Sequence, residues 1–247
     1  MSRRRTGDTV VIPGDYQYQA THAGAPAQRF WHQQRFAACL ELLAVQPGQR
    51  VLDVGCGSGV FTGMVAAIDS SVQVVAVDAS QRAVDFARGQ LAGRPNVTLQ
   101  QGLVDDLGFA AESFDRIACL EVVEHLWPEQ TAATLADLAR LLRPGGRLLL
   151  STPNAHSPWP VIELLVGALG LVPRMTGDQH VASYDPAGLR RLGTAAGLRP
   201  AEGGTLFFAA PWLAGLSWRA AERLHRLERQ AGRRLPVGLL LLQVFTR

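Results

Sequence analysis

Two acidic side chains and a histidine stand close together in the segment CLEVVEHLW, residues 119–127. If this segment opens a helix, Glu121, Glu124 and His125 fall at i, i+3 and i+4 on one face. Such a set can bind a hard divalent cation such as Mg²⁺. His125 can instead act as a general base that a neighbouring carboxylate orients. A third reading has one acid capping the helix and the histidine in the core. The residue types therefore predict a reactive site and leave its chemistry open.

A second stretch, residues 50–59, can bind a nucleotide-like molecule. It reads RVLDVGCGSG, an apolar run followed by three spaced glycines, Gly55, Gly57 and Gly59. Glycines permit a sharp turn and a close approach of the main chain to a ligand. Dinucleotide-binding oxidoreductases use G-x-G-x-x-G instead, and Val60 stands where their third glycine would be. Asp53 would repel a pyrophosphate and attract an ammonium group, which favours S-adenosylmethionine.

An acid also ends the next predicted strand, VVAVD, at Asp78. An acid about twenty residues past such glycines can accept hydrogen bonds from both hydroxyls of a ribose. This position alone would bind the ribose of NAD equally well. The third loop, QQGLVDDL, predicts that backbone groups near Leu103 and Val104 hold the adenine, with Asp105 nearby. The predicted cofactor site also includes two neighbours of these residues, Cys56 and Ala79.

Short apolar runs alternate with helical segments along the chain, which predicts an α/β fold with a mostly parallel, doubly wound sheet. Seven strands are expected, at 50–54, 73–77, 97–101, 114–120, 146–152, 203–209 and 238–246. Helices are expected at 26–44, 60–68, 80–92, 129–142 and 185–197. Ligands bind such sheets at the carboxyl ends of the strands. The loops that should carry function are therefore 55–59, 78–80, 102–109, 121–127 and 152–159.

The length of 247 residues fits one domain with added segments. We expect an N-terminal tail or lid at 1–28 and a single domain at 29–247. An apolar lid within 153–183 favours a greasy substrate or contact with a membrane surface, or it simply covers the edge of the sheet. The arginine-rich residues 212–234 predict an amphipathic helix, and its role as membrane contact, dimer face or sheet cover stays open.

The composition excludes several classes of protein. The formal net charge is +3, every cationic side chain is an arginine, and no aromatic residues interrupt the arginine clusters, so nucleic-acid binding is not expected. Three separated cysteines, Cys39, Cys56 and Cys119, predict no zinc site and favour a reducing cytoplasm. No signal peptide is apparent, and the longest apolar run, 160–173, is too short to span a bilayer. We expect a soluble, cytoplasmic protein.

The segment VLDVGCGSG resembles the first motif of the class I S-adenosylmethionine-dependent methyltransferases. The E-x-x-E-H segment, followed by LLRPGGRLLLSTPN and a polar G-x-x-H, is similar to the O-methyltransferases of ubiquinone biosynthesis over residues 29–200. This resemblance implies a Rossmann-like methyltransferase fold with helices on both faces of the sheet. It implies cofactor contacts from Arg35, Gly55, Asp78, Leu120 and Glu121. It also implies a divalent metal at Glu121, Glu124 and His125.

These observations predict a methyltransferase that uses S-adenosylmethionine to methylate an oxygen of a hydrophobic phenol or quinone precursor. Transfer requires an aligned acceptor oxygen, exclusion of water and removal of a proton. The alternative substrates are a sugar, a lipid or a secondary metabolite. A catalytically silent cofactor-binding module is the alternative from another class, and the glycine spacing disfavours an oxidoreductase. Peripheral contact with a membrane and a homodimer are further expectations.

Overall fold

The computed structural model describes residues 13–157 and 181–247, and in these residues seven strands form one sheet. In chain order they are β1 (Arg50–Val54), β2 (Gln73–Asp78), β3 (Val97–Gln101), β4 (Phe114–Leu120), β5 (Leu142–Pro153), β6 (Arg199–Leu206) and β7 (Leu240–Thr246). They lie in the order β3-β2-β1-β4-β5-β7-β6. The first five pair in parallel, whereas β7 is antiparallel to both of its neighbours. The predicted seven-stranded, mostly parallel α/β sheet is confirmed.

Helices cover both faces of this sheet, as the sequence predicts. They are α1 (Tyr16–His22), α2 (Pro26–Leu43), α3 (Val60–Ala66), α4 (Gln81–Gln90), α5 (Pro128–Leu141), α6 (Pro186–Ala195), α7 (Ala210–Leu213) and α8 (Trp218–Gly232). One buried cluster joins the sheet to α2, α3, α7 and α8, and includes Phe30, Phe61 and Ala221. A second cluster on the other face includes Leu135 of α5 and Leu189 of α6. Within the described ranges, no helix is long and apolar enough to cross a membrane.

Side-chain caps fix the start of three helices. Ser80 accepts a hydrogen bond from the Ala83 N–H and begins α4. Asp185 accepts one from the Gly188 N–H, and Pro186 follows at the first helical position, as expected from the sequence. Ser217 accepts one from the Ala220 N–H at the start of α8. Each cap satisfies a backbone donor that has no partner inside its helix.

The structure corrects several predicted boundaries. The helix predicted at 212–234 is two helices, α7 and α8, because the chain turns after Ala214 and Ser217 caps a new helix. β6 begins four residues before the predicted strand at 203–209 and stops where Phe207 takes a positive φ of 63°. The domain boundary expected between residues 28 and 29 stays a prediction, and both residues belong to α2. The apolar lid expected at 153–183 lies mostly outside the described residues.

Candidate active site

The turn after β1 has the backbone conformation that its glycines predict. Its glycines have positive φ angles, which residues with a side chain rarely adopt: +71° at Gly55, +52° at Gly57 and +78° at Gly59. The N–H groups of Gly55 and Cys56 both donate to the carbonyl oxygen of Val77, at 2.8 and 3.1 Å. A Cβ at Gly55 would also overlap the side chain of Val122 in the loop after β4. The turn therefore brings the main chain of β1 close to the ends of β2 and β4.

Asp78 fixes this turn through its carboxylate. The N–H groups of Gly57 and Ser80 each donate to one of its oxygens, and both distances are 2.8 Å. Burial raises the pKa of Asp78, and these two bonds oppose the rise. The carboxylate stands where the predicted ribose-binding acid belongs, at the carboxyl end of β2, but its role toward ribose stays a prediction.

The residues predicted to hold the adenine lie beside Asp78. The Gly102 N–H donates to the Asp78 carbonyl at 2.9 Å, which holds the loop after β3 against the end of β2. In that loop Val104 is buried, and the Leu103 carbonyl accepts the Asp106 N–H at 3.0 Å. The Gln101 side chain donates to the Ala79 carbonyl at 3.0 Å. The structure thus brings the predicted nucleoside contacts to one place.

Asp53 and Cys56 lie beneath the turn. Asp53 is 2% exposed, and its carboxylate accepts the Thr62 hydroxyl of α3 at 2.6 Å. Burial is the main cause that raises the pKa of Asp53 to about 6. The Cys56 thiol is buried as well, and burial raises its pKa, so it stays a neutral thiol. Asp53 therefore supports the turn from inside through Thr62.

Helix α1 covers the outer side of the same turn. A Cβ added to Gly57 would lie 2.7 Å from the amide oxygen of Gln17. The Tyr18 ring packs edge-on against Phe86 of α4, with centroids 5.6 Å apart. The sequence predicts a tail or lid at residues 1–28, and α1 lies within that range; its role over a ligand stays a prediction. Sequence reasoning missed Gln17, since a single glutamine in a helix carries no recognisable signal.

Arg35 of α2 reaches the end of β4. It is 4% exposed, and its Nη1 lies 3.6 Å from Oε2 of Glu121. Its Nη2 donates to Nδ1 of His32 at 3.3 Å, and the guanidinium lies over the Phe36 ring. Leu120, the last residue of β4, is buried beside this pair. The predicted cofactor contacts Arg35, Leu120 and Glu121 therefore meet at the carboxyl edge of the sheet, as do Gly55 and Asp78.

The loop after β4 is not the continuous helix that the sequence analysis considers. Glu121 has a positive φ of 56°, and only Val123–His125 form a short 3₁₀-helix. Glu121, Glu124 and His125 therefore do not share one α-helical face, because the chain reverses at Glu121 before the helix begins. Within residues 13–157 and 181–247, no three acidic, histidine or cysteine side chains are grouped so that they could hold a metal ion.

Both glutamates of this loop bond to hydroxyls at the end of β5. Ser151 donates to Glu121 at 2.9 Å, and Thr152 donates to Glu124 at 3.0 Å. Burial raises the pKa of both carboxyls, and the charge of Glu121 raises that of Glu124 further. Arg35 and His125 oppose the rise at Glu121. The sequence holds a signal for the two hydroxyls, since they are the first polar residues after the apolar run LLL.

Comparisons with known proteins agree with this geometry. The family described as methyltransferase domain matches residues 51–146. A ubiquinone biosynthesis O-methyltransferase of Thiobacillus denitrificans is 32% identical over 187 residues, which cover 73% of this chain and 73% of the relative. One from Xanthomonas oryzae pv. oryzae is 41% identical over 163 residues, which cover 63% of this chain and 62% of the relative.

Solved structures share the fold at low sequence identity. The magnesium protoporphyrin IX methyltransferase of Synechocystis, solved with bound SAH, has a TM-score of 0.65 at 19% identity, and the match covers 95% of this chain and 94% of that one. The [4+2]-cyclase SpnF has a TM-score of 0.62 at 16% identity, with 87% and 80% covered. Since a cyclase shares the fold, the likeness to these structures establishes the architecture and leaves the chemistry to the site.

The fold, the glycine turn and the curated relatives together define the class. The chain belongs to the class I S-adenosylmethionine-dependent methyltransferases. Within that class it resembles the O-methyltransferases of ubiquinone biosynthesis, as the sequence motifs predict.

Proposed function

We propose that this protein transfers the methyl group of S-adenosylmethionine to a hydroxyl oxygen of a hydrophobic phenol or quinone precursor. Membership in the methyltransferase family supports the cofactor, and the names of the O-methyltransferase relatives support the acceptor. The cofactor supplies a methyl group already activated on a sulfonium. The protein then has to hold both molecules in line, exclude water and help to remove the proton of the hydroxyl.

The arrangement of charged groups at the sheet edge carries this proposal. Arg35 is a buried cation, and among the described residues its Nε has no hydrogen-bond partner. A guanidinium in this state can bind the carboxylate of the cofactor's methionine part. Asp78 stands at the end of β2 for the ribose, and the glycine turn follows β1, the strand between β2 and β4. This distribution complements a nucleoside that carries an amino acid.

His125 is the group that we propose to take up the proton. His125 lies in the loop after β4, and its charge opposes the rise that burial causes in the pKa of Glu121. Two carboxyl groups lie in the same loop: burial raises the pKa of Glu124, and the charge of Glu121 raises it further. A divalent cation held by Glu121, Glu124 and His125 stays a prediction that the oxygen-rich donor set supports. Binding it would require these three side chains to move together.

The first experiment is calorimetry with S-adenosylhomocysteine (SAH), the demethylated product. We expect binding to the wild-type protein, and no heat with a folded sample would contradict the cofactor. Methyl transfer to a panel of phenols that carry apolar chains then tests the acceptor. Transfer only to sugars or to amines would contradict O-methylation of a phenol, and binding without transfer to any acceptor would favour the silent module.

Variants of the loop after β4 test the chemistry. His125→Asn should lower kcat at least about tenfold with little effect on the affinity for SAH, because general bases contribute rate rather than binding. Loss of activity in EDTA, restored by Mg²⁺, would support the cation. Activity that survives replacement of all three residues would contradict both roles.

We also propose that α8 and its flanking loops touch a membrane surface. The supporting feature is a set of exposed apolar side chains next to exposed arginines of α8, namely Trp212, Leu216, Leu227, Leu235 and Val237. Co-sedimentation with anionic phosphatidylglycerol vesicles is expected, and its absence would contradict the contact. The homodimer stays a prediction, which analytical ultracentrifugation would test.

A further inference from the structure

Arg35 is held by a second residue besides Glu121. His32 lies one helical turn earlier on α2, and its Nδ1 is 3.3 Å from Nη2 of Arg35. His32 is 6% exposed, so it contacts little solvent. The ring of Tyr16 approaches it edge-on with a centroid distance of 6.1 Å, and Phe36 packs on it at 6.2 Å. The imidazole therefore has a fixed place between α1 and the guanidinium.

The chemistry of the pair fixes the protonation state of His32. A guanidinium only donates hydrogen bonds, so Nδ1 of His32 must accept and Nε2 must carry the proton. Burial, with the positive charge of Arg35, lowers the pKa of His32 to about 3. The imidazole consequently stays neutral and remains an acceptor over the whole physiological range.

The two partners of Arg35 differ in what a bound ligand would do to them. Glu121 follows the end of β4 and lies 3.6 Å from the guanidinium, which is longer than a good hydrogen bond. His32 contacts the guanidinium from the same helix, at 3.3 Å. A carboxylate that entered the cleft could replace or share the contact with Glu121, whereas His32 would keep its hold on Nη2.

We propose that His32 is a positioning residue, whose Nδ1 holds the Arg35 guanidinium toward the end of β4 so that it can bind the carboxylate of the cofactor. This inference rests on the proposed function, in which Arg35 binds that carboxylate. His32 itself touches neither the cofactor nor the acceptor. Its effect is to keep a flexible arginine in one orientation before the ligand arrives, which reduces the entropy lost on binding.

Two substitutions separate this role from simple packing. His32→Asn keeps an oxygen acceptor close to the position of Nδ1, and His32→Leu fills space without an acceptor. By calorimetry with SAH, we expect His32→Leu to weaken binding about tenfold and His32→Asn to stay within about threefold of wild type. The KM for S-adenosylmethionine should rise in His32→Leu, with little change in kcat.

His225 provides the matched control. It is 3% exposed, lies in α8 between aromatic rings, and neither of its ring nitrogens has a hydrogen-bond partner among the described residues. His225→Leu also replaces a buried imidazole, so it can change the melting temperature. It should leave the affinity for SAH unchanged, because the rings that His225 packs against are those of Phe30 and Phe207, which are not among the predicted cofactor contacts.

Three results would overturn the proposal. Affinity of His32→Leu within twofold of wild type would show that Arg35 needs no positioning. Equal weakening in His32→Asn and His32→Leu would point to the shape of the ring instead of its acceptor. Weakening by His225→Leu to the same extent would point to general destabilisation. Failure of the wild type to bind SAH, or full affinity in Arg35→Ala, would instead contradict the proposed function on which the inference rests.

A measurement on the wild-type protein covers the case in which His32→Leu does not fold. Nitrogen NMR of labelled histidine distinguishes a protonated from an unprotonated ring nitrogen. We expect His32 to show an unprotonated Nδ1 from pH 5 to pH 8 that shifts in Arg35→Ala. A protonated Nδ1, or a signal that Arg35→Ala leaves unchanged, would contradict the hydrogen bond and with it the proposal.

Discussion

Two pairs of carboxyl groups stand at the same edge of the sheet with different partners, and in each pair one carboxyl is buried and the other half-buried. On the cofactor side, Asp78 accepts two backbone N–H groups, and Asp53 accepts the hydroxyl of Thr62. On the side of the loop after β4, Glu121 and Glu124 accept hydroxyls from the neighbouring strand. Burial raises the pKa on both sides, but of these four carboxyl groups only Glu121 has a cation within ion-pair distance among the described residues.

These different partners distinguish a region whose geometry is fixed before a ligand binds, around Asp78, from one whose charge can change, around Glu121 and Glu124. Backbone donors at the glycine turn are set by the path of the chain, so the geometry around Asp78 exists before any ligand arrives. The two glutamates depend on rotatable hydroxyls and on Arg35, so protons, cations or a ligand carboxylate can change their charge. We expect replacement of Asp78 to weaken cofactor binding strongly, and substitutions around the glutamates to have smaller, pH-dependent effects.

Replacement of Asp78 tests the fixed region most severely. Asp78→Ala should weaken binding of SAH at least about hundredfold, because the ribose loses its acceptor and two backbone donors lose theirs. Calorimetry measures the effect. Asp85→Ala on the exposed side of α4 is the matched control and should bind like wild type. Equal affinity in Asp78→Ala and wild type would remove Asp78 from the cofactor site.

Replacement of Asp53 tests the cost of a buried charge in the same region. The pKa of Asp53 is about 6 in the folded protein and 3.8 in the unfolded chain. The protonated side chain therefore contributes its full stabilisation of the fold below about pH 4, and this contribution is lost as the pH rises through 6. The difference between the two pKa values corresponds to about 3 kcal/mol in the free energy of unfolding. Asp53→Asn, which keeps an acceptor for Thr62, should raise the free energy of unfolding at pH 8 by up to that amount and give no gain at pH 4.

Urea denaturation at both pH values measures the Asp53 effect, with Asp85→Asn as the control on an exposed acid. An equal change at pH 4 and pH 8 would show that the charge of Asp53 is not the cause.

A glycine pair separates backbone strain from crowding. Gly57→Ala and Gly145→Ala both place a side chain at positive φ, +52° and +76°, which costs about 1–2 kcal/mol. A Cβ at Gly145 meets no atom within 4 Å, whereas one at Gly57 meets the amide of Gln17. Because that amide ends a flexible side chain, Gly57→Ala should lose only slightly more stability in urea denaturation, and Gln17→Ala in that background should recover the excess. Equal losses would show that α1 does not press on the turn.

The smallest effect is expected at the glutamates. Thr152→Val removes a hydroxyl that donates to Glu124, so the pKa of Glu124 rises further. The free energy of unfolding should fall by about 1 kcal/mol at pH 8 and by less at pH 5, where Glu124 holds a proton more easily. Thr98→Val on the exposed strand β3 is the control. A loss that does not depend on pH would indicate packing alone.

Sequence patterns locate the parts of the fold that follow from local chemistry. The apolar runs give β1 to β4 nearly residue for residue, and the Asp185–Pro186 pair gives the start of α6. β6 was harder to place, because its sequence RPAEGGTL is polar and exposed over much of its length. The break at Ser217 carries a readable cap, but the amphipathic period of the arginine-rich segment hides it.

The residues of the candidate site also fall into those that a local sequence pattern predicts and those that it does not. The glycines and Asp78 follow a short-range motif and can be found by spacing. The positive φ of Glu121 cannot, because no local motif marks it and the Glu121 N–H bonds to a distant segment, at the Ser151 carbonyl of β5. Gln17 approaches Gly57 from a distant segment, which no local pattern encodes. His32 lies one helical turn before Arg35, but its spacing alone does not distinguish it from other polar residues of α2.

The position of β7 has a consequence for how the chain folds as it is made. β7 lies between β5 and β6, although it follows both in sequence. A growing chain that has reached Leu206 still lacks the strand that attaches β6 to the sheet. Until residues 240–246 emerge from the ribosome, the open side of β5 presents unpaired amide groups to any other strand nearby. Nascent chains should accordingly be most prone to aggregate just before their synthesis reaches this strand.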